Sequence, residues 1–341
     1  MFNININKYK GVFNMNKYSK IGLTALAGSL VAGSVSAAEL SASGSAAIYF
    51  SGGDDNKITG NGWSMADSVT FSASGDVNDI GVTLSIELDG DAASAKTNSG
   101  ATYSSTTSMN VVDSHSIKFD LGDAGTLTFA GHGGDSAMSA VDDVMPNAYE
   151  EPWDVVTGAD AGIINGASGD NMFTYTYSHE SGIGLTLAYL NASDAVTDVS
   201  YSDIGITYTG IDGLTVGYAQ GDVETTTNSK SDEHTMYAKY ATGPITVGVQ
   251  SSEKDVEGGS GSDTESTGMG LTYQVNDDFS VGIGAHTIEY NSGDDQQSTG
   301  VSASYTMGSL TIAGAMNSVD NIANTASNDR SAYELGLTFA F

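Results

Sequence analysis

The groups in this chain most able to do chemistry are its 42 carboxylates, set against 11 Lys and Arg in 341 residues, for a net charge of −31 with no Cys. Without thiols there is no disulfide framework, thiolate metal site or Cys nucleophile. The five histidines, His115, His132, His179, His234 and His286, fall in separate segments, and neither H-x-x-x-H nor G-x-S-x-G occurs. Hydrolysis by a nucleophile needs a positioned Ser–His pair, which nothing here selects. No catalytic residue is assigned, and the chain is not read as an enzyme. Nor does so acidic a chain offer the basic surface that phosphates require, which excludes nucleic acid.

The carboxylates do cluster. Between His132 and Asp170 lie Asp135, Asp142, Asp143, Glu150, Glu151, Asp154, Asp160 and Asp170, with no Lys or Arg among them. Acids in such numbers steer or hold cations; they do not by themselves break bonds. A connection this long without repeating structure is functional or disordered, and its apolar pieces, Met138, Val141, Val144, Met145, Trp153 and Val155, favour packing against a surface. Elsewhere, Asp54–Asp55 and Asp294–Asp295 could bind Ca²⁺ or Mg²⁺ through oxygen ligands, although paired surface acids are more often just solvated. The stretch GGSGSDTES (258–266) resembles one calcium-binding nonapeptide, but Glu265 replaces its large apolar residue and a stack needs several repeats, so it reads as a Gly-rich loop. No resident cofactor is implied; a structural Ca²⁺ is the one candidate.

The elements that must position these acids follow from two further patterns. The first 38 residues contain no acid: Lys17 and Lys20 precede an apolar stretch, Ile21 to Val35, and then Ser36, Ala37 and Ala38. That is the layout of a secretory signal peptide, with Met15 an alternative start, and it implies export of residues 39–341. No later stretch is apolar over even half a helical span, so a helical membrane protein is excluded.

The exported part repeats one motif, alternating apolar and small polar residues followed by a turn. Ile80, Val82, Leu84, Ile86 and Leu88 alternate with Gly81, Thr83, Ser85 and Glu87, and Leu335, Leu337 and Phe339 close the chain in the same way. A period of two makes strands with two different faces. The polar face is mostly Ser, Thr, Gly and Ala, which suits a wet interior with lipid outside better than a soluble sandwich. Hydrocarbon leaves no backbone group unpaired, so the sheet must close. Phe50, Tyr189, Tyr208, Tyr218, Tyr240, Tyr273, Phe279 and Phe341 fall toward strand ends, as interfacial girdles require. Sixteen strands are expected, starting near 40, 67, 79, 114, 125, 171, 182, 200, 213, 233, 244, 265, 278, 297, 308 and 331. Short turns alternate with long loops, and both chain ends join the short-turn side, which is therefore periplasmic.

Three pieces carry a family resemblance: ELSASGSAAIYFSGGD (39–54), GDAGTLTFAGHGGDSAMSAVDD (122–143) and the ending AYELGLTFAF (332–341). With the leader, the strand count and the long third loop, the chain resembles the trimeric general porins of Gram-negative outer membranes, especially their alphaproteobacterial branch. The resemblance implies an all-β, 16-stranded antiparallel transmembrane barrel with the third loop folded inward, assembled as a homotrimer. It also implies outer-membrane lipid and lipopolysaccharide as surroundings, and Phe341 as part of the signal read by the insertion machinery. On this pattern Asp135, Asp142, Asp143, Glu150, Glu151 and Asp154 would line a constriction. The long second loop, Asp89–Asp113, would reach over a neighbouring subunit.

General porins usually face that acidic loop with clustered arginines, whereas here Arg330 is the sole Arg. By strand parity Lys118 and Lys239 point inward together with Glu87, Asp120, Asp203, His286 and Glu334. The expected lumen is negative overall, and the expected function is passive, cation-preferring diffusion of ions and small hydrophilic solutes. Two alternatives stay open at this level. A substrate-specific channel on the same barrel would show saturable block by one solute. A secreted β-rich adhesin would need neither sixteen dyad strands nor a terminal aromatic.

Overall fold

A computed structural model describes residues 39–53, 62–89, 112–141, 144–161, 170–190, 199–225, 229–257 and 263–341. The leader, most of the second loop, Asp54–Asp55, Asp142 and Asp143 lie outside the described residues. The strands are β1 (Glu39–Gly53), β2 (Trp63–Val77), β3 (Ile80–Asp89), β4 (Val112–Asp120), β5 (Thr126–His132), β6 (Met172–Ser178), β7 (Ile183–Leu190) and β8 (Val199–Ile211). They continue as β9 (Leu214–Thr225), β10 (Ser229–Thr242), β11 (Ile245–Glu257), β12 (Thr264–Asn276), β13 (Phe279–Tyr290), β14 (Gln296–Met307), β15 (Leu310–Asp320) and β16 (Arg330–Ala340). Each pairs antiparallel with its neighbours in sequence, and β1 pairs with β16 to close the barrel.

Closure leaves no free edge to satisfy in lipid. It is completed at the last residue, where the backbone N–H of Phe341 donates to the Gly44 carbonyl and that of Gly44 to the Phe341 carbonyl, both at 2.9 Å. The strands are tilted. A row of directly paired residues starts at Leu40, near the periplasmic end of β1, and passes through Ala73, Leu84, Ile117, Phe129, Phe173, Tyr189 and Ser202. It ends at Asp222, high on β9. Such stagger is what a closed barrel requires. The periplasmic turns are short because their residues suit them: Asn78 and Asp79 take positive φ (51° and 65°) between β2 and β3, as do Gly213 and Gly243 in later turns. Two consecutive left-handed residues make the hairpin turn whose twist matches its strands.

The outward faces carry the apolar halves of each dyad. Ile48, Leu84, Ile206, Val249, Ile283, Val301 and Leu335 are all exposed, and ring contacts such as Phe50 on Trp63 (centroids 4.9 Å) and Phe129 on Phe173 (4.8 Å) lie on the same surface. All sixteen expected strands occur, each starting within four residues of its expected position. The largest differences are β2, which begins at Trp63, and β10, which begins at Ser229. Both extend farther than the apolar alternation does. Asp67 interrupts the outward series of β2, and Lys230, Asp232 and His234 face outward above the apolar band of β10, where no apolar residue is needed.

The barrel is uneven in height. β5 and β6 have 7 residues each and β7 has 8, while β8 to β14 have 12 to 14.

Candidate functional site

The third loop leaves the barrel wall after β5 and returns at β6, and its described parts run along the inside of the tall wall. Its bed is a row of glycines. Gly248, Gly270, Gly284 and Gly300 are directly paired in sequence across β11, β12, β13 and β14, all on the inward face. Pro146 lies on the first pair and Pro152 on the second. A Cβ on Gly248 would sit 2.6 Å from Pro146 Cδ, and one on Gly300 would sit 2.8 Å from Pro152 Cα. Only a residue without a side chain permits this close approach.

Two apolar clusters clamp the loop at either end of this groove. Met138 and Val141 pack with Tyr201, Ala219 and Tyr237, while Trp153 and Val156 pack with Val319 and Ile322. Between them run single hydrogen bonds from wall to loop. The Met138 N–H donates to Asp203 Oδ2 at 2.7 Å, Gln250 Nε2 to the Val141 carbonyl at 2.7 Å, and the Ala148 N–H to Ser302 Oγ at 3.0 Å. Tyr149 donates to Glu334 Oε1 at 2.9 Å, Asn317 Nδ2 to the Glu151 carbonyl at 2.5 Å, and Arg330 Nη1 to the Thr157 carbonyl at 2.6 Å. Gln296 bonds both the N–H and the carbonyl of Asp160. Buried loop backbone needs such partners, and polar side chains in the strands supply them.

Within the loop the acids differ. Asp135 is exposed at its start. Glu151 is 8% exposed, turned to the wall, with Asn147 Nδ2 donating to it, and its N–H donates to Asp154 Oδ2 at 3.1 Å. Glu150 is half-buried and Asp154 exposed. Burial first, then the neighbouring Asp154 and Glu334 carboxylates, pushes Glu150 up to about 7. Burial, reinforced by Glu334, also holds Tyr149 above the ordinary phenol range, so it stays a donor. Carboxylate oxygens of Glu150, Glu151 and Asp154 lie within 4.8 Å of one another, a grouping with the oxygen donors that a hard cation uses.

The wall residues divide in the same way. Asp203, His286 and Glu334 point inward but lie under the loop, 7%, 3% and 5% exposed. Asp203 and Glu334 accept the loop bonds above, and His286 stacks on Trp153 with centroids 4.3 Å apart. Glu87, Lys118, Asp120 and Lys239 point inward and are open to the lumen to different degrees: Lys118 and Asp120 are exposed, and Glu87, half-exposed, accepts from Ser114 Oγ at 3.2 Å. Lys118 and Asp120 edge a lumenal recess of about 580 Å³ whose lining includes Glu39, Ser74, Asp76, Thr83 and Ser85. Lys254 is a third inward lysine, on β11, and its charge is spent on Glu233 at 2.8 Å. Strand parity could have found it, since Gln250 and Ser252 share its face; the glycine row had only its inward parity as a signal.

The comparisons agree with this architecture. The chain matches the family model for Gram-negative porins over residues 22–275 and 250–341. No curated protein matches it in sequence. Among solved structures, OmpT of Vibrio cholerae in a trimer form is similar at 15% identity and TM-score 0.66, over 89% of this chain and all of that one. An anion-selective porin from Comamonas acidovorans is similar at 14% identity and TM-score 0.65, again over 89% of this chain and all of the other. A triple mutant of the Rh. blastica porin is similar at 17% identity and TM-score 0.62, with the same coverage.

Proposed function

The chain belongs to the Gram-negative porin family, an outer-membrane channel protein, and from that premise we propose that its pore passes ions and small hydrophilic solutes by passive diffusion with a preference for cations. The fold is shared with a porin described as anion-selective, so the barrel does not set the sign of selectivity; the lining charges must. The observation that carries the reading is the balance of those charges. The loop contributes acids and no cation, one inward lysine is neutralised by Glu233, and Arg330 reaches a loop carbonyl. Among the described residues, Lys118 and Lys239 remain against Glu87, Asp120, Asp135, Glu150 and Asp154. A cation entering this lumen is stabilised and an anion repelled over the roughly 8 Å reach of the screened field.

Nothing in this scheme binds tightly or consumes energy. The loop narrows the path, and the carboxylates weight solutes by sign. Glu151 completes the loop by holding its turn. Assembly as a homotrimer in a bilayer of lipid and lipopolysaccharide, with Phe341 read during insertion, belongs to the same proposal. Reversal potential in a planar bilayer under a KCl gradient tests it: a cation-selective sign is expected, and an anion-selective sign would overturn it.

A further inference from the structure

The wall from β4 to β7 is low for a surface that would face lipid. β4 has 9 residues, β5 and β6 have 7 each, and β7 has 8. Seven residues at a tilt near 45° rise roughly 16 Å, against an apolar band about 25 Å tall. Beside this low wall two titratable side chains point outward. Asp67 shares the outward row of β2 with Met65 and Val69, pairs with Ala46, and lies midway between the outward Trp63 and Phe71. His115 pairs with Ile86 and shares the outward face of β4 with Ile117. Both are exposed, and among the described residues neither has a hydrogen bond or ion pair. The one ring beside His115 is His132, at 6.5 Å between centroids, and His132 is itself paired with Asp170 at 2.5 Å. Hydrocarbon offers an acid or an imidazole nothing, and such groups in membranes normally find each other.

We propose that a second copy of this chain covers the β2–β5 face, with Asp67 of one copy meeting His115 of the partner subunit. This rests on the oligomer reading above and adds the pair that fixes its register. The acid is on one flank of the patch and the imidazole on the other, so each copy presents an acid to one neighbour and a base to the next. That contact is heterologous, the type that closes into a ring. Over β4 and β5, the short strands that this face includes, a protein neighbour also relieves the mismatch with the bilayer, which lipid could relieve only by thinning.

The absence of native cysteine makes the test clean. Across β3, His115 lies level with Phe71, four residues along β2 from Asp67, so within one copy the two Cα atoms are roughly 16 Å apart, beyond the reach of a disulfide. Mild oxidation of Asp67→Cys/His115→Cys in native outer membranes is expected to link most chains into covalent oligomers. Val249→Cys/Ile283→Cys, on the tall wall, is expected to stay monomeric. Asp67→Lys should lower the temperature at which the oligomer dissociates, and His115→Asp in the same chain should restore it. If the wild type is oligomeric while the Asp67/His115 cysteines do not link, or while Asp67→Lys is as heat-resistant as wild type, the pair is overturned and the oligomer stands. A wild type that is monomeric in its own membrane overturns both.

Discussion

The two sides of this barrel solve different problems with the same dyad. From β8 to β16 the inward face is grooved, and the third loop lies buried along it, hydrogen-bonded to β8, β11, β14, β15 and β16. From β1 to β5 the inward face carries Ser41, Ser43, Ser45, Ser72, Ser85, Lys118 and Asp120, all at least partly exposed. The tall wall is thus a mount and the opposite wall a surface for water. The difference teaches where the proposed solute path runs: in the gap between the mounted loop and the wall that its described parts leave clear, not along the central axis. Polar groups on the mount, such as Asp203, Gln250, Asn317 and Glu334, hold the loop in place; polar groups on the bare side hydrate the path.

The sharpest way to break this contrast is to spoil the mount. Gly300→Val puts a side chain where Pro152 Cα and Asn317 Oδ1 already lie, 2.8 and 2.5 Å from the Cβ position. The loop should lift from the wall, and single-channel conductance should change by about twofold or more; Ser85→Val on the bare wall should leave it nearly unchanged. An unaltered conductance in Gly300→Val would mean the loop is not seated on that row. Next in size is charge. Glu150→Gln/Asp154→Asn should lower the potassium-to-chloride permeability ratio by about half, read from reversal potentials, with conductance much less affected.

A smaller effect comes from pH. Glu150 has its proton affinity raised to about 7, so it is ionised above that value and neutral below it. Cation preference should therefore weaken as pH falls from 8 to 6, and Glu150→Gln should flatten that change. Smallest is the loss of one mounting bond. Asn317→Ala removes the donor to the Glu151 carbonyl at a cost of about 1–2 kcal/mol. Gating noise should rise without a shift in mean conductance.

How much of this was legible in the sequence depends on which face a residue serves. Strand number, order and closure could be read because lipid demands an apolar residue at every second position, as in Ile80 to Leu88. The reading stopped short at β10, since Lys230 and Asp232 stand above the lipid, where that demand ends. The acidic loop and its apolar anchors were visible as composition. Which acids face water was not: Glu150 and Glu151 are adjacent in sequence, yet one is half-buried and the other turned to the wall, held there by Asn147 within the loop and by Asn317 from β15. Gly248, Gly270, Gly284 and Gly300 looked like ordinary small residues of a polar face. Their alignment is a property of register, which a single strand does not display.

The most direct test of the mounted-loop pore is chemical accessibility from the lumen, which a cysteine-free chain allows. Single cysteines at Ser72 and Ser85, whose hydroxyls are 3.1 Å apart on the bare wall, and at Ser252 and Ser298, 3% and 1% exposed on the tall wall, would be treated with a charged thiol reagent during bilayer recording. Rapid modification with a stepwise loss of current is expected at Ser72→Cys and Ser85→Cys, and none at the other two. Fast reaction and block at Ser252→Cys and Ser298→Cys, with Ser72→Cys and Ser85→Cys silent, would place the solute path on the wrong side of the loop.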